Sequence, residues 1–218
     1  LPDSTFNISL INNQLILSGE QNTFYDTVYI WAQPVHAEAP LNGVFMSDAY
    51  KVQPNLIPFN KEVLLEIALN KTHHFPDHLS IYYYNEAKNT WQYMQSEFNS
   101  DSTFMQTNIL SGEIFSIIKE LEAPELSSFI PEISGTYYST DLEHISFHVE
   151  DKFSGIDGET DVFVVLDGKR VIFEYNSYQK KVRYPLKYNL IPGKHILYVE
   201  ANDRVGNKSV IEGNFYIK

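Results

Sequence analysis

Strict alternation of apolar and polar residues constrains this chain more than any other feature. In Glu143-His-Ile-Ser-Phe-His-Val-Glu150, Ile145, Phe147 and Val149 fall on one side and His144, Ser146 and His148 on the other. That period of two is what a pleated strand buried on one face requires. It recurs in Phe6/Ile8/Leu10, Leu79/Ile81/Tyr83 and Val182/Tyr184/Leu186. The stretch 61–69 is built of good helix formers, yet Val63, Leu65, Ile67 and Leu69 also alternate. A helix would bring Glu62 and Glu66 to one face as a carboxylate pair. A strand, which the alternation and the preceding Pro58 favour, sets them about 13 Å apart. Fifteen tyrosines and fourteen phenylalanines suit half-buried pleated surfaces. The sequence predicts an all-β protein.

Its organisation turns on Lys119-Glu-Leu-Glu-Ala-Pro-Glu-Leu-Ser-Ser-Phe-Ile-Pro131, where an apolar run gives way to acids and two prolines. This reads as a boundary between two tandem β-sandwich domains, and 218 residues at 43% apolar content suffice for two cores. The expected layout is a β-sandwich over 1–121, a linker and first-strand approach over 122–130, and a second sandwich over 131–218. In the first, a hairpin turns at Asn12-Asn13, Thr27–Gln33 forms a strand, and Pro34–Gly43 forms a loop. Short strands at 44–46 and 49–52 precede a hairpin of 79–84 with 91–94, and strands at 104–109 and 113–118 close the domain. In the second, Asp167-Gly168 joins strands 162–166 and 171–175, and 195–201 and 210–217 come last. Turns every 8 to 12 residues there give the spacing of an immunoglobulin- or fibronectin-like sandwich.

The net charge is -12, and residues 1–121 hold five lysines, no arginine and thirteen acids. Phosphate backbones demand a basic footprint, so nucleic acid is excluded as a partner. Apolar runs fall short of the roughly 18 residues of a spanning helix, which argues against membrane insertion. Leu1-Pro2-Asp3 is no secretory leader, and the chain reads as a soluble fragment or mature form. Zero cysteines remove disulfides, thiol catalysis and thiolate metal sites together.

Four groups of residues could carry chemistry. With Leu79, Ile81 and Tyr83 inward, Tyr82 and Tyr84 face out near Trp91, and exposed rings stack on sugars. Lys181, Arg183 and Lys187, with Lys169, Arg170 and Lys180, form a basic cluster suited to an anionic glycan or an acidic protein surface. His73, His74, Asp77 and His78 crowd one loop, and such groups bind zinc where they converge. The loop offers no cysteine and no helix to set histidines at i and i+4 on one metal, and Pro76 stiffens the approach. Asp151, Asp157, Asp161 and Asp203 sit in turns rich in Gly and Asn, where Asp stabilises its own backbone. The alternative there is structural calcium, since hard cations want clustered oxygens. No Gly-x-Ser-x-Gly or phosphate-cradling glycine loop occurs, so the chain is expected not to be an enzyme and, calcium apart, to use no cofactor.

Asp-x-x-Ser-Gly-Ile at 151–156, Leu166-Asp-Gly168, Pro192-Gly-Lys-His-Ile-Leu197 and Ala-x-Asp-x-x-Gly-Asn at 201–207 resemble the immunoglobulin-like modules of bacterial secreted and surface proteins. The tandem order, with Pro58-Phe59, Ile81-Tyr-Tyr-Tyr84 and Trp91 before the linker, is similar to the non-catalytic tail of cell-wall metallopeptidases of the lysostaphin and LytM type. That family's zinc site pairs His-x-x-x-Asp with a later His-x-His. His73 and Asp77 match the first spacing, and the chain contains no His-x-His. The resemblance implies a secreted or cell-surface spacer or binding module that meets cell-wall polymer, polysaccharide or a protein partner. A carbohydrate-binding module and a zinc hydrolase built on the histidine loop are the alternatives.

Overall fold

The computed structural model describes residues 3–55, 57–69 and 77–218. The fold is all-β, and the chain divides into two compact units, Leu1–Leu121 and Glu122–Lys218. Each is a β-sandwich with its own core.

The first unit contains β1 (Phe6–Leu10), β2 (Leu15–Gly19), β3 (Trp31–Val35), β4 (Gly43–Phe45), β5 (Ala49–Gln53) and β6 (Val63–Ala68). It continues with β7 (Leu79–Asn85), β8 (Thr90–Met94), β9 (Glu97–Phe98), β10 (Phe104–Ile109) and β11 (Ile114–Glu120). One sheet runs β1-β2-β6-β10-β9 and the other β3-β5-β11-β7-β8, with β4 also pairing β11. Alternation decides what each strand buries. Leu15, Leu17, Val63, Leu65, Ile67, Met105 and Ile109 of the first sheet meet Tyr50, Val52, Ile81, Phe115 and Ile117 of the second. The ambiguous stretch 61–69 is a strand: Leu65 lies opposite Leu17 on one side and Thr107 on the other.

Two expectations need correction in this unit. The predicted strand 27–33 enters the ladder only at Trp31, opposite Gln53. The next residue of the partner strand is Pro54, which has no N–H to extend the pairing. Pro34, read as the start of a loop, is the fourth residue of β3. Strand β3 is at the sheet edge, where a missing N–H costs no interior ladder bond.

The second unit contains β12 (Glu125–Ile130), β13 (Thr136–Tyr137), β14 (His144–Glu150), β15 (Val162–Leu166) and β16 (Lys169–Arg170). It ends with β17 (Glu174–Asn176), β18 (Lys181–Pro185), β19 (Gly193–Asn202) and β20 (Lys208–Ile217). Its sheets run β12-β14-β18-β17 and β13-β20-β19-β15-β16. Ile145, Phe147, Val149 and Val182 of one sheet pack on Val162, Val164, Leu197, Val199 and Phe215 of the other.

Here too the structure revises the sequence reading. Residues 125–130, within the stretch expected as linker and first-strand approach, form β12, paired with β14. Of the expected strand 171–175 only Glu174 and Tyr175 are strand: they belong to β17, which pairs with β18 in the opposite sheet, whereas β16, paired with β15, ends at Arg170. The intervening Val171 is buried and Phe173 packs on the core, while Ile172 between them is 90% exposed. The apolar run fills the seam where the chain changes sheets.

Phe147 is fully buried and stacked on Phe129 at 5.2 Å. Phe147→Ala is expected to destabilise this unit by about 3–5 kcal/mol, measured as a lower midpoint in denaturant unfolding.

Candidate functional site

The outer face of sheet β3-β5-β11-β7-β8 holds the aromatic residues. Tyr83 packs on the core, which turns Tyr82 and Tyr84 outward as expected. Outward does not mean exposed, and this corrects the expectation for two of the three rings. Tyr82 is 0% exposed, its ring is edge-on to Tyr93 at 5.9 Å, and its hydroxyl donates to Glu120 at 3.3 Å. Trp91 is 5% exposed, packed on Phe45 at 5.3 Å, and its indole N–H donates to the Glu38 carbonyl at 3.0 Å. The segment between β3 and β5, with Glu38 and Phe45, has folded onto Trp91. Tyr84 remains half-buried, 5.3 Å from Trp91, with its hydroxyl bonded to Asn89.

Sequence reasoning missed the rings that are exposed. Val28, Ile30 and Ala32 pack on the core, so Tyr29 and Trp31 project outward and are 88% and 47% exposed. The signal was the alternation in Thr27–Gln33, read for its strand and not for its outer residues. Register places Gln33, Lys51, Ile114, Tyr84 and Trp91 in one row across four neighbouring strand pairs, with Trp31 opposite Gln53 two residues along.

The basic residues do not form one cluster. Lys181 and Arg183 project from β18 because Val182 between them is buried. They line a shallow groove of about 520 Å³ with Glu174, Asn176, Tyr178 and Gln179. Lys187 lies past the end of that strand. Lys169 and Arg170 belong to the other sheet, where Arg170 sits over the Phe163 ring at 5.0 Å. The sheet change after Arg170 separates them. On β14, burial pushes the His144 imidazole down, and the charges of Arg183 and Lys181 push the same way against Glu143. Its Nδ1 and the Ser146 hydroxyl are buried without a hydrogen-bond partner among the described residues.

His73 and His74 lie outside the described residues. Asp77 is exposed, and the backbone carbonyl of His78 accepts the Glu120 N–H at 2.9 Å.

The turn aspartates are bound into their own backbone. Asp151 Oδ1 accepts the N–H groups of Phe153 and Gly155 at 3.0 and 2.6 Å. Asp203 Oδ1 accepts those of Val205 and Asn207 at 2.9 and 2.8 Å, and Oδ2 takes the Asn207 amide at 2.7 Å. Carboxylate oxygens of Asp151 and Asp203 lie within 4.8 Å of each other. Burial raises the Asp203 pKa and the Asp151 charge adds to this, while the bonds from Asn207 and Val205 oppose it. Of the four turn aspartates considered for calcium, these two come together. Asp157 is turned elsewhere: it accepts from Arg204 at 3.3 Å, and its N–H donates to Asp161 at 2.6 Å.

One further ion pair escaped the sequence reading. His195 is 4% exposed and stacked on Phe215, with Nδ1 2.7 Å from Asp167 and Nε2 2.8 Å from the Ile191 carbonyl. A carbonyl and a carboxylate can only accept, so these two partners favour the protonated ring, in which both nitrogens donate. Burial alone would lower its pKa, but the bonds to Asp167 and Ile191 and the Asp167 charge outweigh that and raise it. Asp167 also accepts the Ile196 N–H at 2.9 Å, tying the β15–β16 turn to β19.

No protein-family model matches the chain, and no curated protein matches it. Among solved structures it is similar to the extracellular domain of the putative one-component system BT4673 from B. thetaiotaomicron, at 13% identity and a TM-score of 0.29. The match covers 100% of this chain and 31% of that one. The chain thus spans under a third of that structure's length, and so low a TM-score carries no argument about function.

The two histidines should titrate apart. A proton NMR titration is expected to place His195 above, and His144 below, the ordinary value of about 6.5. Stability from His195 is full below that value and is lost as pH rises through its raised pKa. Stability from keeping His144 neutral is present above about 6.5 and is lost as pH falls toward its lowered pKa. Asp167→Asn should bring the His195 value down. Asp203→Ala, which removes the acceptor of three hydrogen bonds, should cost about 1–3 kcal/mol in thermal unfolding.

Proposed function

We propose that this chain is a non-catalytic spacer and binding part of an exported or cell-surface bacterial protein. One observation carries the reading: the ionisable groups of the second unit that look most reactive are held in structural bonds. Asp151 and Asp203 staple their own turns, and His195 is locked between Asp167 and Ile191. A general acid or base must be free to exchange its proton with a substrate. The motif resemblance at 151–156 and 201–207 to bacterial immunoglobulin-like modules supports the exported setting, and the tail of a cell-wall peptidase is the most specific version of it. The partner on this reading is a cell-wall polymer, a polysaccharide or another protein. A carbohydrate-binding module is the second reading, favoured by the exposure of Trp31 and Tyr29.

Co-sedimentation tests the proposal. The 218-residue chain is mixed with purified bacterial cell walls and with insoluble neutral polysaccharides, and the supernatant is assayed for muropeptides and reducing ends. The expected result is retention on at least one material with product at the blank level. Release of soluble product above the blank contradicts a non-catalytic role.

A further inference from the structure

We infer that the outer face of sheet β3-β5-β11-β7-β8 binds a neutral polysaccharide chain, which lies across the strands from Trp31 to Tyr84. This rests on the binding role proposed above and gives it a ligand class and a place. Three observations converge on it.

The first is exposed ring surface. Trp31 and Tyr29 alternate with core-facing Val28, Ile30 and Ala32, so packing holds their direction outward, at 47% and 88% exposure. Aromatic side chains bury 150–250 Å² each when they find a partner. Tyr84, half-buried with part of its ring open, stands on the same face three strands away. Strand spacing puts it about 14 Å across the sheet and about 7 Å along the strands from Trp31. Two rings at that separation can each support a sugar of one extended chain.

The second is the polar lining between the rings. Gln33, Lys51 and Gln53 project from β3 and β5 on this face, since Ala32, Tyr50 and Val52 between them face the core. Amide groups donate and accept at once, which matches a ligand of hydroxyl groups; the Gln53 oxygen already accepts the Asn55 N–H at 3.1 Å, which holds that amide in place.

The third is charge. The Lys51 ammonium is 3.3 Å from Glu86, and Glu113 also feels both charges. The cation of the row is therefore balanced. Residues 1–121 hold thirteen acids against five lysines. A uronate, a phosphate polymer or a sulfated chain would be repelled, whereas a neutral one would not. A second copy of this chain adding to the sheet at β3 is disfavoured for a separate reason: Pro34 interrupts that edge with a residue lacking an N–H.

Isothermal titration of the 218-residue chain with cellohexaose, laminarihexaose, mannohexaose and xylohexaose tests this, with polygalacturonate as the anionic control. Trp31 is the exposed one of the two tryptophans, so binding should also shift the indole fluorescence to the blue. Expected are saturable binding of at least one neutral hexasaccharide, none of polygalacturonate, and a loss of affinity of about tenfold or more in Trp31→Ala and in Tyr84→Ala. Trp31→Phe should recover part of the loss. Circular dichroism of Trp31→Ala should match the parent, since Trp31 is not a core residue, and Tyr84→Phe, which keeps the ring, should bind like the parent.

Absence of binding by all four hexasaccharides at millimolar concentration overturns the assignment. So does binding that Trp31→Ala leaves unchanged, or preference for polygalacturonate. If light scattering shows a dimer that Trp31→Ala dissolves, the face is a contact between copies and the assignment is again wrong. Co-sedimentation with cell walls separates the two readings. A Trp31→Ala chain that is still retained keeps the binding role and removes this face from it, whereas a parent chain retained on nothing removes the role itself.

Discussion

One-sided burial of antiparallel strands is the constraint on which the rest of this structure depends. A period of two sends every second residue into a core, and the residues between them have no choice but to face outward. Each unit repeats this on two sheets: Leu15, Leu17 and Leu65 meet Ile81 and Phe115 in one, and Phe147 and Val149 meet Val164 and Phe215 in the other. What varies is how the outward residues are used. In the first unit the segment carrying Glu38 and Phe45 covers Trp91, while Trp31 is left bare. A packed scaffold thereby fixes the direction of exposed rings without spending core residues on them.

The polar turns serve the same scaffold. Asp151 and Asp203 each gather backbone N–H groups of their own turns, and Asp167 clamps the β15–β16 turn to β19 while favouring protonated His195. Buried groups of this kind are stabilising only when their bonds are complete. That requirement makes these carboxylates specific in position and poor candidates for catalysis, because releasing a proton or a bond would loosen a turn. Burial, with the Asp151 charge adding to it, raises the Asp203 pKa against the turn bonds, which pull it down.

Much of the fold was legible because alternation survives without knowledge of neighbours. The ambiguous 61–69 stretch, the hairpin of β7 with β8, and the core face of β14 all followed from it. Partnership did not. Nothing local in Val171–Tyr175 says that the chain leaves one sheet for the other, and nothing in Thr27–Ile30 says that its partner stops at Pro54. The candidate site failed in the same way. Tyr82 does alternate away from the core, but its exposure and that of Trp91 depended on residues 38, 45, 93 and 120, brought in by other segments. The basic residues looked contiguous in sequence and were divided by the sheet change after Arg170. By contrast, Trp31 was within reach of the alternation argument, had it been carried to the outer positions of 27–33.

The claim that function resides on an outward sheet face, and not in the bonded turns, is tested most directly by mapping backbone amide and indole NMR shifts while a neutral hexasaccharide is titrated into the full chain. The account predicts changes gathered on the Trp31 indole and on Gln33, Lys51, Gln53 and Tyr84, with Asp151, His195 and Asp203 silent. Changes gathered instead at those three residues, or along the groove between Glu174 and Arg183, would contradict it.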